Sequence, residues 1–348
     1  MQKRYQWKLK HRELNLGERT LIMGVLNVTP DSFSDGGQYA DPDRAFARAM
    51  ELEEQGADIL DIGAESTKPG SQRVTEGEEL RRLIPVLKRL KNQLSIPISV
   101  DTYKSGVADK ALEHGAEIVN DPTGILLDQN LPKIVTKHDA GLIVNHMRGN
   151  PETWAKLPPL KDLMRTIAID LDAALNRARL AGVTKQQLVI DPGLGFGKRR
   201  EQNSEIIAGL AHLRSFDLPI AIGPSRKSFL RTAIKSLDGR AASDQDTELD
   251  TDFATAAAVA ASILCGAHII RVHNVKAMKI VAETTDIIQQ AREQEEEQER
   301  LQAEPAPRPR VRPVDTNEGR EPIKRLRPRL KDAAPPSSTP PPPTRYDR

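Results

Sequence analysis

Short runs of apolar, often β-branched residues alternate with longer amphipathic segments between residue 20 and about residue 280. The short runs indicate buried strands, and the longer segments repeat their apolar residues at the three- and four-residue spacing of a helix. Alternation of this kind is typical of parallel βαβ units. It predicts strands at residues 21–27, 59–63, 98–101, 118–121, 142–146, 188–191, 220–223 and 268–273.

The segments between the predicted strands carry start and stop signals for helices. A polar capping residue favours the start of a helix, proline fits its first turn, and glycine fits the residue that follows its end. A long helix is predicted over residues 160–181. Asp41 and Pro42 predict the start of the first helix, and Gly56 predicts its end. Thr75 and Glu78, in the spacing of a capping box, predict the start of the second helix.

Two architectures fit this alternation: an open doubly wound sheet and a closed barrel. The carboxyl ends of the strands meet at one mouth in a barrel, where barrel enzymes keep their active sites, whereas they spread along an edge in an open sheet. Polar residues at the strand ends therefore favour a single (β/α)8 TIM barrel over residues 20–290, preceded by a lead-in segment at 1–19. These polar residues are Asn27, Asp61, Asp101, Asn120 with Asp121, Asn145 with His146, Asp191, and Arg271 with His273.

The C-terminal region differs in composition from the predicted barrel. Residues 304–348 contain 12 of the 25 prolines and carry 11 Lys and Arg against 6 Asp and Glu, a local charge of +5 in a chain of net charge +2. They offer few apolar residues to offset the entropy of ordering. We expect a final helix from about residue 275 to fray through a Glu/Gln-rich stretch, and residues 291–348 to be a disordered tail. A solvated tail is favoured over one that binds nucleic acid or an SH3-like partner.

The remaining bulk properties limit the class of protein. The single cysteine, Cys265, excludes a disulfide framework or a metal–thiolate site within the chain, and it suits a reducing compartment. Residues 1–10 are polar and basic, and the apolar run at 254–270 contains polar residues, so neither a signal peptide nor a membrane span is expected. We expect a soluble, cytoplasmic protein with no membrane partner.

Two polar loops follow the first two predicted strands. Residues 27–37 combine carboxylates, hydroxyls and terminal glycines, and residues 65–70 contain hydroxyls, a lysine and a rigid proline turn. Hydroxyl and ammonium groups bind phosphate oxygens well. Together the loops indicate a site for an anionic substrate.

Seven segments in fixed order resemble the motifs of the dihydropteroate synthases, a family of pterin-binding barrel enzymes. The resemblance covers about residues 20–285, and an ordered set of motifs is far more specific than one glycine-rich loop. The segments are 23–37, 61–70, 99–102, 119–121, 191–198, 223–228 and 271–273. The resemblance implies a homodimer, magnesium, and condensation of 6-hydroxymethyl-7,8-dihydropterin diphosphate with para-aminobenzoate in folate synthesis.

The resemblance also assigns residues to the substrates. A carboxylate such as Asp191 can accept two parallel hydrogen bonds from the pterin edge, and an amide such as Asn120 suits its mixed edge. Asp101 and Lys227 complete the implied pterin site. The implied diphosphate site is Asn27, Thr67, Arg271 and His273; the implied benzoate site is Phe33, Lys68, Pro69, Phe196, Lys227 and Ser228; and the implied magnesium ligands are Asn27 and Asp35.

The implied reaction separates charge when diphosphate leaves the pterin methylene carbon and the arylamine attacks. Such a reaction needs electrostatic stabilisation more than a protein nucleophile. The residues carried over as catalytic are Lys227, Asp101, Arg271, His273 and Asp35.

Some positions depart from the family pattern: Lys68 stands in place of arginine, Asn274 in place of aspartate, Pro122 follows Asn-Asp, and Asn145 precedes His-Met. Lysine lacks the two-pronged geometry of guanidinium, so weaker anion or loop contacts are expected at Lys68. Two alternatives stay open: a corrinoid-dependent methyltransferase that uses methyltetrahydrofolate, and a pterin-binding protein without activity. The methyltransferase has no need of the motifs at 27–37, 225–228 and 271–273, and a non-catalytic protein need not keep Lys227 or Arg271.

Deletion of residues 304–348 is predicted to leave the turnover number and the melting temperature nearly unchanged, because these residues lack core-forming side chains. Diphosphate release and thermal unfolding of the full and shortened chains would test this. A large fall in either quantity would mean that the tail contributes to the folded enzyme.

Overall fold

A computed structural model describes residues 2–29, 41–66, 71, 73–231 and 248–303. Within these residues the strands are β1 Tyr5–Lys8, β2 Glu13–Leu16, β3 Leu21–Asn27, β4 Ile59–Gly63, β5 Ile98–Asp101, β6 Ile118–Asp121, β7 Gly141–Asn145, β8 Leu188–Asp191, β9 Ala221–Ile222 and β10 Ile269–Val272. The α-helices are α1 Pro42–Glu54, α2 Glu76–Leu90, α3 Ser105–Glu113, α4 Leu131–His138, α5 Leu163–Leu180, α6 Arg200–Ala208, α7 Glu248–Leu264 and α8 Val275–Ala303.

Strands β3 to β10 form one parallel sheet that nearly closes on itself. Strands β3 to β8 are neighbours in sequence order, and β10 pairs with both β3 and β9. A parallel bridge between Ile190 and Ile220 joins the two remaining edges. The predicted (β/α)8 barrel is therefore confirmed, and the open sheet is excluded.

The hydrophobic pattern located the elements closely because strands buried on both faces are continuous apolar runs. Five of the predicted strands, β3, β4, β5, β6 and β8, match the observed bounds, and the other three differ by one residue at each end. The capping residues Asp41 and Thr75 are also confirmed at α1 and α2, whereas the Glu78 carboxylate, which was expected to complete a capping box, accepts hydrogen bonds from Arg81 and Arg82. Asp41 accepts hydrogen bonds from the backbone of Asp43 and Arg44, and Thr75 accepts one from Glu78 N.

The lead-in segment forms an antiparallel hairpin of β1 and β2 that fills the amino-terminal end of the barrel. Trp7 and Leu9 pack with inward-facing residues of the barrel strands, such as Ile118 and Ile143. The indole of Trp7 donates a hydrogen bond of 2.9 Å to the carbonyl of Gln187. A Cβ at position 141 would lie 2.5 Å from Leu9 Cδ2 and 3.0 Å from Trp7 Cζ2, so a larger residue there would force the hairpin side chains to shift. The opposite end of the barrel is thereby left for the site.

Helix α8 extends to Ala303, beyond residue 290, where the sequence analysis placed the end of the barrel domain. Side-chain pairs four residues apart support the extension, namely Gln289 with Glu293 and Arg292 with Glu296. Glu293 also accepts a hydrogen bond from the backbone of Gln2. Residues 304–348 lie outside the described residues. No helix in the described ranges is long and apolar enough to cross a bilayer.

Candidate active site

The carboxyl ends of the strands surround a pocket at the mouth opposite the hairpin. Its position follows from the parallel barrel, because every strand of the sheet points its carboxyl end to the same side. Among the described residues, the pocket is lined by Asp101, Asn120, Asn145, Asp191, Leu194, Phe196, Gly223, Lys227 and Arg271.

The Arg271 guanidinium is held by two carboxylates from neighbouring strands. Its Nε donates to Asp61 Oδ2 at 2.6 Å, and its Nη2 donates to Asp101 Oδ2 at 2.7 Å. Asp61 is fully buried, so its charge needs this partner to offset the cost of leaving water. The pair fixes the direction of the guanidinium at the pocket.

Asp61 also orients the amide of Asn120, which donates from Nδ2 to Asp61 Oδ2 at 3.2 Å. This leaves the Asn120 carbonyl oxygen, Oδ1, buried and without a hydrogen bond. The Oδ1 atom of Asn145 is in the same state. A buried acceptor of this kind is costly unless something donates to it. The two amides therefore provide free hydrogen-bond acceptors at the pocket, and these suit a ligand rich in N–H groups.

Burial shifts the ionisation of the charged groups in the pocket. It raises the pKa of Asp101 to about 7, against the opposing effect of Arg271, and raises that of Asp191 to about 6. Burial and the nearby Arg271 charge lower the pKa of Lys227 to about 8. Although burial opposes it, the attraction of Asp61 and Asp101 raises the pKa of Arg271 above its ordinary value. Burial thus moves the pKa values of Asp101, Asp191 and Lys227 towards neutral pH, a feature that is common at functional sites.

The loop after β8 is shaped by backbone contacts that only certain residues allow. Asp191 Oδ1 accepts a hydrogen bond of 2.7 Å from Gly193 N. Gly193 has a φ of +71°, and a Cβ there would lie 2.0 Å from the carbonyl oxygen of His146. The buried ammonium of Lys198 donates to the carbonyls of His146, Pro192 and Gly193. These contacts fix the loop that carries Leu194 and Phe196.

The structure brings most of the described site residues together. Asp101, Asn120, Asp191, Phe196, Lys227 and Arg271 line one pocket, whereas Asn27, His273 and Ser228 are not part of its lining. The predicted residues Phe33, Asp35, Thr67, Lys68 and Pro69 lie outside the described residues.

Asn27 and His273 lie close to the pocket residues in the fold. The position of an ideal Cβ on Gly63 is 3.7 Å from both Asn27 Oδ1 and Asp101 Oδ2, so both groups lie beside Gly63. His273 follows β10, two residues after Arg271, and its Nδ1 lies 3.0 Å from Ser225 Oγ.

The sequence analysis gave no role to Asp61 or Asn145, although it noted both as polar residues at strand ends. Asp61 holds Arg271 and Asn120, and Asn145 lines the pocket. A charged residue inside an apolar run was the available signal for Asp61. Asn274, which replaces the usual aspartate, donates to Asp252 Oδ2 at 2.7 Å.

Comparison with known proteins agrees with this geometry. The model of the pterin binding enzyme family matches residues 23–273. The dihydropteroate synthase of Clostridium beijerinckii is 39% identical over 281 residues, covering 81% of this chain and 98% of that protein. A crystal structure of the Clostridium difficile dihydropteroate synthase in the presence of pteroic acid has a TM-score of 0.71 and 41% identity, covering 78% of this chain and 98% of its own.

The dihydropteroate synthase of Xanthomonas albilineans with 4-aminobenzoic acid has a TM-score of 0.73 and 34% identity, covering 82% of this chain and 99% of its own. The chain thus belongs to the pterin binding enzyme family. Its function within that family is dihydropteroate synthesis: it is a transferase that joins a dihydropterin diphosphate to para-aminobenzoate in folate synthesis. Neither the corrinoid-dependent methyltransferase nor the non-catalytic pterin-binding protein is favoured.

Substitution Asp61→Ala is predicted to destabilise the fold by about 3 to 5 kcal/mol, because it leaves the Arg271 guanidinium partly buried without its closest carboxylate. Chemical denaturation would measure the change. Lys110→Ala, which removes the exposed partner of Glu113, is the control and should leave the free energy of unfolding nearly unchanged. Equal effects of the two substitutions would contradict a structural role for Asp61.

Proposed function

We propose that Asp191, Asn120, Asp101 and Lys227 bind the dihydropterin ring. The observation that carries this assignment is their convergence on one pocket, whose lining contains two carboxylates, two amides and two cations. Asp191 accepts from a ring N–H and the exocyclic amine, and the unsatisfied Asn120 Oδ1 accepts another N–H. Lys227 donates to the ring oxygen and nitrogen.

The diphosphate is assigned to the side of the pocket near Arg271. The guanidinium is already held by Asp61 and Asp101, so little side-chain entropy is lost when it meets an anion. Asn27 is the last residue of β3, His273 follows the adjacent strand β10, and both extend this anion site. Thr67, which lies outside the described residues, completes the set expected from the sequence.

Magnesium fits this anion site as an ion that arrives with the diphosphate. The described residues contain no group of three or more His, Cys, Asp and Glu side chains that could hold a metal. Asn27 supplies a neutral amide oxygen near Asp101, and Asp35 is the second ligand expected from the sequence. A sparse set of protein oxygens suits Mg²⁺, which keeps waters and takes phosphate oxygens. The bound ion would neutralise charge on the leaving diphosphate.

Para-aminobenzoate is assigned to the side of the pocket formed by Phe196 and Lys227. The Lys227 ammonium lies 4.4 Å from the centre of the Phe196 ring, which joins an apolar wall to a cation. Ser228 begins a short 3-10 helix next to Lys227 and is exposed, so it can meet the carboxylate of the substrate. Phe33, Lys68 and Pro69 are the remaining residues expected at this site.

The reaction follows from the placement of charge. The bond between the pterin methylene carbon and a diphosphate oxygen breaks, and its electron pair leaves with the diphosphate. The arylamine nitrogen then bonds to this carbon and loses a proton. Arg271 and His273 stabilise the leaving anion, while Asp101 and Asp191 stabilise positive charge on the pterin. As an expected metal ligand, Asp35 would act with Arg271 and His273 on the leaving anion. No protein nucleophile is required.

A second copy of this chain is the partner that we propose for the exposed apolar residues of α7 and α8. Leu249 and Phe253 lie four residues apart on α7, and Ile280 and Ile287 lie seven apart on α8, so each pair shares one helical face. Exposed apolar patches often mark interfaces, and symmetric dimers use the same patch twice. The homodimer and the cytoplasmic location expected from the sequence are both part of this proposal.

The combined substitution Phe253→Lys and Ile287→Lys should shift the enzyme from dimer to monomer, because it places charge in an apolar contact. Sedimentation equilibrium would report the mass. Leu180→Lys, at an exposed leucine of α5, should leave the mass unchanged. A dimer that survives the double substitution would place the interface on other helices.

Substitution Lys227→Ala is predicted to lower turnover roughly tenfold to a hundredfold, as expected when a charged hydrogen bond is lost. In the wild type, kcat/KM for the pterin diphosphate should fall as pH rises through about 8, since the Lys227 ammonium loses its proton there. The variant should lack this alkaline fall.

Coupled measurement of diphosphate release across pH tests both statements about Lys227. Lys137→Ala, which removes an exposed lysine paired with Asp109, is the control and should keep wild-type turnover and the alkaline fall. Near-normal turnover of Lys227→Ala would contradict its assignment.

A further inference from the structure

Phe196, the aromatic wall of the proposed benzoate site, depends on the loop between β7 and α5. The Trp154 ring packs against the Phe196 ring, with centroids 5.3 Å apart and planes inclined by 56°. Trp154 is buried, with 7% of its surface exposed. Neither the motifs nor the pterin assignment accounts for a large aromatic side chain at this place.

Hydrogen bonds join the two loops around this ring contact. The indole of Trp154 donates to the carbonyl of Arg148 at 2.7 Å. The Arg148 backbone N–H donates to the carbonyl of Phe196 at 3.4 Å, and its guanidinium donates to that of Gly197 at 3.1 Å. Both the backbone and the ring of Phe196 are therefore held by the segment that carries Trp154.

The approach of the loops requires glycine at position 197. Gly197 has a φ of +72°, and a Cβ there would lie 2.5 Å from the carbonyl oxygen of Arg148 and 3.1 Å from Trp154 Cδ1. The turn before Trp154 is also fixed, since Asn150 Oδ1 accepts a hydrogen bond from Thr153 N. Both sides of the contact are thus held in place.

We propose that Trp154 is a positioning residue for the aromatic second substrate: it fixes the Phe196 ring beside the Lys227 ammonium, so that the benzoate ring and carboxylate meet a preformed wall and cation. This inference rests on the proposed benzoate site. Asp101, Asn120 and Asp191, which are assigned to the pterin ring, stand at strand ends. None of the contacts described above joins them or Lys227 directly to Trp154. Trp154 therefore acts on the second substrate more than on the first.

The test is steady-state kinetics of diphosphate release with each substrate varied in turn. Trp154→Leu should raise KM for para-aminobenzoate roughly three- to tenfold, the range expected for loss of an aromatic pair, and leave KM for the pterin diphosphate unchanged. Trp154→Phe keeps a ring against Phe196 but loses the indole hydrogen bond, and it should restore KM close to the wild-type value.

Trp7→Leu is the matched control, because it removes the other tryptophan of the chain from the hairpin at the opposite end of the barrel. It should lower the melting temperature without changing either KM. If Trp154→Leu also lowers the melting temperature but leaves KM for benzoate unchanged, or raises both KM values equally, the positioning role is wrong.

Phe196→Ala separates failure of this inference from failure of the benzoate site. If Phe196→Ala raises KM for benzoate and Trp154→Leu does not, only the role of Trp154 is overturned. If neither substitution changes that KM, the proposed benzoate site itself is wrong and the role of Trp154 falls with it. A rise with both, together with rescue by Trp154→Phe, supports the proposal.

Discussion

Closure of the parallel sheet is the constraint on which the rest of this molecule depends. A closed ring leaves no free edge, and parallel strands send all their carboxyl ends to one mouth. The strand register then sets neighbours side by side: Asp101 lies opposite Asn120, and Asn145 lies opposite Asp191. Four polar side chains far apart in the chain thereby share one pocket, while the hairpin of β1 and β2 fills the other end.

The mouth of the barrel holds charges that a fold would not retain for stability alone. Removing an ion from water is expensive, and a buried pair often only recovers that cost. The charge of Arg271 is compensated by Asp61 and Asp101. Burial, in contrast, raises the pKa of Asp191 and lowers the pKa of Lys227, which favours the neutral form of each side chain. The pocket is therefore an environment in which a polar, planar ligand can complete hydrogen bonds that the protein leaves unmade.

The two halves of the proposed substrate site are built differently. The groups assigned to the pterin ring stand mainly on strand ends, whose positions follow from the sheet itself. Phe196 stands on a loop, and its place depends on backbone contacts at Gly193 and Gly197, the buried Lys198 and the ring of Trp154. Loop contacts of this kind allow the site for the second substrate to vary while the barrel stays the same.

The sequence by itself determined the order and the limits of the strands, because each is an apolar run that is buried on both faces and bounded by turn and capping residues. It also predicted that Asp101, Asn120, Asp191 and Arg271 converge, since polar residues at the ends of parallel strands lie at one mouth, and the family resemblance added Lys227 to their site. Only the tertiary structure showed that Asp61 holds Arg271 and Asn120, that the lead-in segment fills the barrel, and that Trp154 packs on Phe196. These contacts join residues far apart in the chain, and no local periodicity or capping signal records which distant partners will meet.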